Sequence, residues 1–267
     1  MSKSSKLGTA LITGASSGIG ATYASRLAER GYDLLLVARG QAQLEALSSR
    51  LEGSAGVKIE VLRADLTNPS DLSQVAQRLS NDPTISMLVN NAGIAMNGAL
   101  LGADPKTFNN LISLNVLAVT QLAVAAATAF ASRKQGTIIN IASVLALAPE
   151  LFNGAYSGTK AYVLNLSQAL QQELSQTGVR VQVVLPGATR TALWDRAGID
   201  ISNLPAEMMM DVDEMVDAAL AGLDAGETVT IPSLPDANEW DALNAMRINL
   251  RPRLSLQHPA SRYKVAR

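Results

Sequence analysis

The chain has 267 residues, 48% of them hydrophobic and 17% charged, with a formal net charge of −1. That supplies a sizeable core and leaves no charge block suited to nucleic acid or an anionic membrane as partner. It has no cysteine and one histidine, His258, which excludes disulfides, thiolate nucleophiles, metal sites built on Cys or His, and a Ser-His-Asp triad.

From the N-terminus, MSKSSKLGTALITG carries lysines but too brief an apolar run for a signal-peptide core. Apolar, often β-branched runs then recur at 9–13 (TALIT), 33–38 (DLLLVA), 58–64 (KIEVLRA), 85–90 (ISMLVN), 136–142 (GTIINIA) and 179–185 (VRVQVVL). Segments with helical spacing separate them at 18–30, 41–52, 69–80, 104–132 and 156–177. Strand–helix alternation predicts right-handed βαβ units and a doubly wound parallel sheet with helices on both faces. LLLVA and IINIA are near-continuous apolar runs, as strands covered on both sides require. The most apolar internal run, LAVAAATAFA at 122–131, is ten residues long, against the roughly 20 that span a bilayer. The expectation is a cytoplasmic protein with no membrane partner.

After Pro186 the period is lost. Residues 187–210 read as an irregular loop, 211–224 as a helix, ETVTIP (227–232) as a seventh strand and 236–249 as a last helix. A basic tail covers about 250–267. No linker, repeat or low-complexity tract interrupts the chain, so one domain over 1–267 is expected.

The turn after the first strand reads TGASSGIG, with Gly14, Gly18 and Gly20 spaced GxxxGxG. Glycines between a strand and a helix let backbone approach a pyrophosphate, and the helix N-terminus offers open N–H groups. Ser16, Ser17 and Ile19 belong to the same cradle. No Lys follows Gly20, so this is not a P-loop. At the end of the second strand, where an acid would bind a ribose 2′-hydroxyl, the chain has Ala38 and Arg39. A guanidinium there pairs with a 2′-phosphate, which predicts NADP(H) over NAD(H).

In order, the chain carries TGASSGIG (13–20), AD (64–65), NNAG (90–93), Asn115 in LNVLA, Ser143 in INIAS, YSGTK (156–160) and PGATRT (186–191). This series resembles the short-chain dehydrogenase/reductase family over about residues 7–195. The resemblance implies a single Rossmann-type sheet of seven strands, ordered 3-2-1-4-5-6-7. It also implies that Asp65 and Leu66 lie at the adenine, and that Asn90, Asn91, Ala92 and Gly93 line the cofactor and brace the sheet centre. Pro186, Gly187 and Thr189 would hold the nicotinamide end, with Thr191 nearby. Asn115, Ser143, Tyr156 and Lys160 would be catalytic, and Tyr156 and Lys160 would also touch cofactor. Asn115 would hold a water that relays protons to Lys160.

The residues themselves support that chemistry. A tyrosine phenol has a pKa near 10, and an ammonium one helical turn away is expected to lower it. Ser143, at a strand's C-terminal end, can hydrogen-bond a substrate oxygen as charge gathers on it. Asn115 lies inside a helical segment that it suits poorly. Tyr162 falls on another face and reads as packing. Val144, Leu145 and Phe152, with Leu193, Trp194 and Met208–Met210 of a substrate loop over about 187–210, would line a pocket for a small, mostly apolar ketone, aldehyde or alcohol. The Met run reads equally well as core. Two other readings compete. A 3-oxoacyl-thioester reductase would need a basic mouth, for which Arg133, Lys134 and Arg190 are candidates. A non-catalytic NADPH sensor would not need Tyr156. Small residues in LAVAAATAFA, and the helix opening at Tyr156, suggest a homodimer or homotetramer.

Overall fold

The structure is a computed structural model and describes residues 7–201 and 205–264. Residues 202–204 of the substrate loop and 265–267 of the tail lie outside it. By its contacts the chain divides into two compact units, Met1–Pro232 and Ser233–Arg267.

In the first unit, seven strands form one parallel sheet in the order β3-β2-β1-β4-β5-β6-β7. They are β1 (Thr9–Thr13), β2 (Asp33–Ala38), β3 (Ile59–Arg63), β4 (Ile85–Asn90), β5 (Gly136–Ile141), β6 (Val179–Val184) and β7 (Val229–Thr230). Successive side chains leave a strand on opposite faces, so each strand feeds two cores. Leu34 and Leu36 of β2 join Tyr23, Leu27, Leu44 and Leu220 on one face. Leu35 and Val37 join Leu72, Val75, Leu79, Leu122 and Phe130 on the other. Each fully buried Leu or Phe contributes about 1.5–3 kcal/mol, and this double burial is why the strands read as apolar runs.

The first face is covered by α1 (Gly18–Glu29), α2 (Gln41–Ala55) and α8 (Val212–Ala225). The second is covered by α3 (Pro69–Asn81), α5 (Val119–Arg133) and α6 (Gly154–Glu173). Local signals set their starts: Asn68 accepts from the N–H groups of Ser70 and Asp71 with Pro69 at the first helical position, and Asn153 accepts from Ala155 and Tyr156. The latter places the α6 start at Gly154 rather than 156.

Two further departures from the sequence reading have physical causes. β7 shrinks from six expected residues to Val229–Thr230, because it is an edge strand registered only with Val183 and Val184 and followed by Pro232. The segment expected as one helix over 104–132 is α4 (Pro105–Ile112), a π-helical stretch Ser113–Ala118, then α5. Pro105–Arg133, 29 residues in all, holds an 18-residue window of mean hydropathy 1.8 and so is long and apolar enough by those two measures to cross a membrane. The ten-residue estimate from sequence was therefore too short. Its buried side packs on β4, β5 and α3.

The second unit holds α9 (Ala237–Asn249), capped by Asp236 through the Asn238 N–H, and short 3₁₀ turns at Arg251–Arg253 and Ser261–Tyr263. Leu243, Met246, Leu254 and Leu256 are exposed.

Candidate active site

The chain crosses from β3 at one edge to β4 beside β1, so the loops after β1 and β4 diverge at the centre of the sheet. Open α/β sheets bind ligands at such a point. Thr13 joins the two loops: its hydroxyl accepts from Asn91 N–H at 2.9 Å and Ala92 N–H at 3.0 Å, and donates to the Val89 carbonyl. Asn91 Nδ2 donates to the Thr13 carbonyl at 2.9 Å. Gly14 and Gly18 have φ of +66° and +54°, which favour glycine. A Cβ on Gly20 would lie 2.4 Å from the Gly14 carbonyl oxygen and 2.6 Å from Asn91 Nδ2. Ser17, the N-cap of α1, makes no side-chain capping bond, so the first-turn N–H groups are not closed by it. A glycine cradle under an uncapped helix start fits a dinucleotide pyrophosphate.

The other residues assigned to cofactor fall around this cradle. Arg39 is exposed at the end of β2 and acts on Asp65 electrostatically. Partial burial opposes the Asp65 carboxylate. The Thr67 hydroxyl and N–H donate to it, and with Arg39 and Arg63 nearby they hold it below the usual carboxylate range. Leu66 is buried in the second core. Ser16 and Ile19 lie partly buried in the turn and at the start of α1. Asn90 is committed elsewhere: it is buried and its amide donates to the Val119 carbonyl, fastening α5. Asn91 likewise spends its amide on the turn, so these two brace the site through their side chains. Pro186, Gly187 and Thr189 follow β6; the Thr189 hydroxyl donates to the Gly187 carbonyl, and Thr191 packs against Gly18.

The four residues assigned to catalysis gather at the same sheet edge. Ser143 follows β5; its hydroxyl accepts from Leu145 N–H and donates to the Pro186 carbonyl at 3.4 Å. Tyr156 lies in the first turn of α6, buried with Met96 and Leu111, and with Leu145 and Phe152 against it. Lys160, one turn on, is buried and donates from Nζ to the Ile141 carbonyl at 2.9 Å. Asn115 sits in the π-helical stretch, and its amide bonds the Ile94 peptide and the Thr159 hydroxyl. Gly93 passes over the last two: a Cβ there would be 3.3 Å from Asn115 Oδ1 and 3.6 Å from Lys160 Nζ.

The charge expectation for Tyr156 is corrected. Burial pushes its phenol up to about 12, with a hydrogen bond to Ser143 acting the other way. Burial also pulls Lys160 down to about 8. Both effects come from taking the charged form out of water. The Lys160 amino group is aimed at a backbone carbonyl and lies 5.7 Å from the centre of the Tyr156 ring. In the chain alone, desolvation outweighs any lowering by the lysine.

On the substrate side, Phe152 stands edge-on to Tyr156 at 5.5 Å and to Trp194 at 6.5 Å. Trp194, in the short helix α7 (Leu193–Arg196), donates from its indole N–H to the Thr189 carbonyl. Asn97 Nδ2 donates to the Gly198 carbonyl at 2.8 Å, and Asn153 Nδ2 to the Gly98 carbonyl at 2.7 Å. The methionine run splits: Met210 packs on the first core, Met209 is buried and Met208 is exposed. The proposed basic mouth is corrected. Arg133 and Lys134 precede β5 and so lie at the opposite edge of the sheet from Ser143, Arg133 donating to the Ile85 carbonyl. Arg190 pairs with Asp211.

Met96, Leu111 and Phe108, the apolar walls around Tyr156, were missed because nothing local distinguishes them from core. Asn153 was legible as an N-cap, and Thr13 as the strand-end hydroxyl before the glycines.

The family model of the short chain dehydrogenases matches residues 8–201. The chain belongs to the short-chain dehydrogenase/reductase family. Among solved relatives of this dehydrogenase/reductase is a short-chain dehydrogenase from Sphingobium yanoikuyae in complex with NADPH. The two are 51% identical, with a TM-score of 0.92 over 95% of this chain and 98% of that one. The bulky-bulky ketone specific alcohol dehydrogenase from Comamonas testosteroni is 47% identical, TM-score 0.89, over 96% of this chain and 98% of that one. Human 17-beta-hydroxysteroid dehydrogenase type 3 is 35% identical over 187 residues, 69% of this chain and 60% of the human protein, so the match spans under two thirds of that relative. The short-chain dehydrogenase/reductase described here is accordingly an oxidoreductase.

Proposed function

We propose that the protein interconverts an apolar ketone or aldehyde and its alcohol with NADP(H), Tyr156 acting as general acid and base. One observation carries this reading: a phenol that stays protonated at neutral pH is buried against an apolar cluster, with the Ser143 hydroxyl beside it and Lys160 and Asn115 behind. When bound, the reduced dinucleotide supplies the hydride for the carbonyl carbon. Gly14, Gly18, Gly20 and the start of α1 would hold its pyrophosphate, and Arg39 its 2′-phosphate. Tyr156 gives its proton to the carbonyl oxygen, while the Ser143 hydroxyl donates to the same oxygen as charge builds on it. Lys160, brought down to about 8, exchanges protons near neutral pH and so suits a relay that refills Tyr156. Asn115 orients that relay from the π-helical stretch.

The substrate class follows from the lining. Leu145 and Phe152 pack around Tyr156, with Trp194 edge-on to Phe152, and Leu100, Leu101, Leu151 and Met208 extend exposed apolar surface on the neighbouring loops. The name of the Comamonas relative agrees with a ketone carrying bulk on both sides of the carbonyl. An acyl-carrier substrate is disfavoured by the positions of Arg133 and Lys134. Exposed Leu117, Val124 and Tyr162 on the π-helical stretch, α5 and α6 support a homodimer or homotetramer, and the composition supports a cytoplasmic setting.

The deciding experiment is Tyr156→Phe. Ketone reduction should fall at least ~10²-fold, within the range for losing a general acid, while NADPH still binds. Retained turnover refutes the mechanism, and a wild type that binds NADPH yet reduces no ketone or aldehyde in a broad panel supports the sensor reading instead.

A further inference from the structure

Arg196, the last residue of α7, donates from Nη2 to the Ser17 hydroxyl at 2.7 Å across 179 residues of sequence. The substrate loop therefore touches the glycine turn at two places, Arg196 on Ser17 and Thr191 on Gly18. Arg26, Arg30, Arg78 and Arg190 each sit against a carboxylate. Arg196 forms no ion pair among the described residues and ends on a neutral hydroxyl. A serine at the start of a helix ordinarily turns its oxygen inward onto the first-turn N–H groups. Ser17 does not, so the amides stay open and the guanidinium stands beside them. The loop that bears Arg196 is itself held in place, by the Asn97–Gly198 and Trp194–Thr189 hydrogen bonds.

We propose that Arg196 is a cofactor-binding residue whose guanidinium hydrogen-bonds the dinucleotide pyrophosphate at the start of α1. A guanidinium prefers phosphate oxygen to a neutral hydroxyl, because the bond is then charge-assisted on both sides. The inference rests on the dinucleotide reading above and adds to it: part of the cofactor site is built by the substrate loop.

The test is calorimetric titration of wild type and Arg196→Gln with NADPH and, separately, NADH, without substrate. Both dinucleotides should bind the variant about tenfold more weakly, the size of one charge-assisted hydrogen bond, with a flatter dependence of affinity on salt. Arg196→Lys, which keeps the charge, should recover part of the loss. The side chain is exposed, so the nucleotide-free melting temperature should not move. A change under about twofold for both dinucleotides, or a loss confined to NADPH, overturns the proposal. If wild type binds neither dinucleotide, the proposed function falls and this inference with it. Normal wild-type binding with an unaffected variant overturns this inference alone.

Discussion

Asn115 and the peptide of Ile94 hold each other by two hydrogen bonds: Oδ1 accepts from the Ile94 N–H at 3.0 Å, and Nδ2 donates to the Ile94 carbonyl at 2.9 Å. The pair ties the loop after β4 to the π-helical stretch, where the helix departs from its regular ladder. Asn115→Ala leaves both Ile94 groups without that partner in a part-buried place. We expect a loss of about 2–4 kcal/mol in denaturant-measured stability and a fall in turnover larger than the fall in NADPH affinity. A variant as stable and active as wild type would show that the pair is incidental.

Lys160 makes stability depend on pH in a set direction. Its ordinary value is 10.5 and its buried value about 8, so between those limits the unfolded chain binds more protons than the folded one. Stability should therefore climb as pH rises from about 8 to 10.5, by about 3 kcal/mol in all. Tyr156, raised from 10.0 to about 12, opposes this only above pH 10, where the folded state keeps its proton and stability falls. Chemical denaturation of the nucleotide-free protein at pH 7 to 10 should show the climb, and Lys160→Met should abolish it. A flat wild-type profile contradicts the buried placement.

Two glycines near the site should respond oppositely to alanine. At Gly20 the new Cβ would strike the Gly14 carbonyl at 2.4 Å, and backbone there cannot move aside. We expect about 1–3 kcal/mol of destabilisation and loss of dinucleotide binding. At Gly158, inside α6, a Cβ meets nothing within 4 Å. Alanine there should stabilise by ~0.5–1 kcal/mol. Melting temperatures of the two variants decide both points.

Arg39→Asp should separate the two cofactors. A carboxylate repels a 2′-phosphate and accepts from a 2′-hydroxyl, so NADPH affinity should drop about 100-fold while NADH affinity holds or improves. Equal effects on the two would remove Arg39 from the 2′-phosphate site.

What the sequence made legible was local. Leu34–Ala38 is apolar throughout because β2 is buried on both faces, and Gly14-x-x-x-Gly18-x-Gly20 marks a turn that only glycine can make. The same holds for Tyr156 and Lys160, which share a face because they are four residues apart. The rest depends on partners that chain order does not reveal. Lys160 spends its hydrogen bond on the Ile141 carbonyl, from a strand 19 residues earlier, which no i,i+4 argument foresees. Arg133 looked like part of a basic entrance, yet the parallel sheet sends residues before β5 and residues after it to opposite edges. Asn91 reads as a ligand-facing residue in NNAG, but its amide is consumed by the Thr13 carbonyl.

The burial of Tyr156 and Lys160 has a consequence for descent. Both groups are kept where their charged forms are disfavoured, and an apolar residue of similar volume at position 160 would relieve a buried amine without opening a cavity. On the proposed function, selection for stability alone therefore pushes against Lys160, and only turnover of substrate retains it. A lineage released from that demand would lose Lys160 early, keep the glycine cradle intact, and drift towards a more stable chain that holds a dinucleotide without using it.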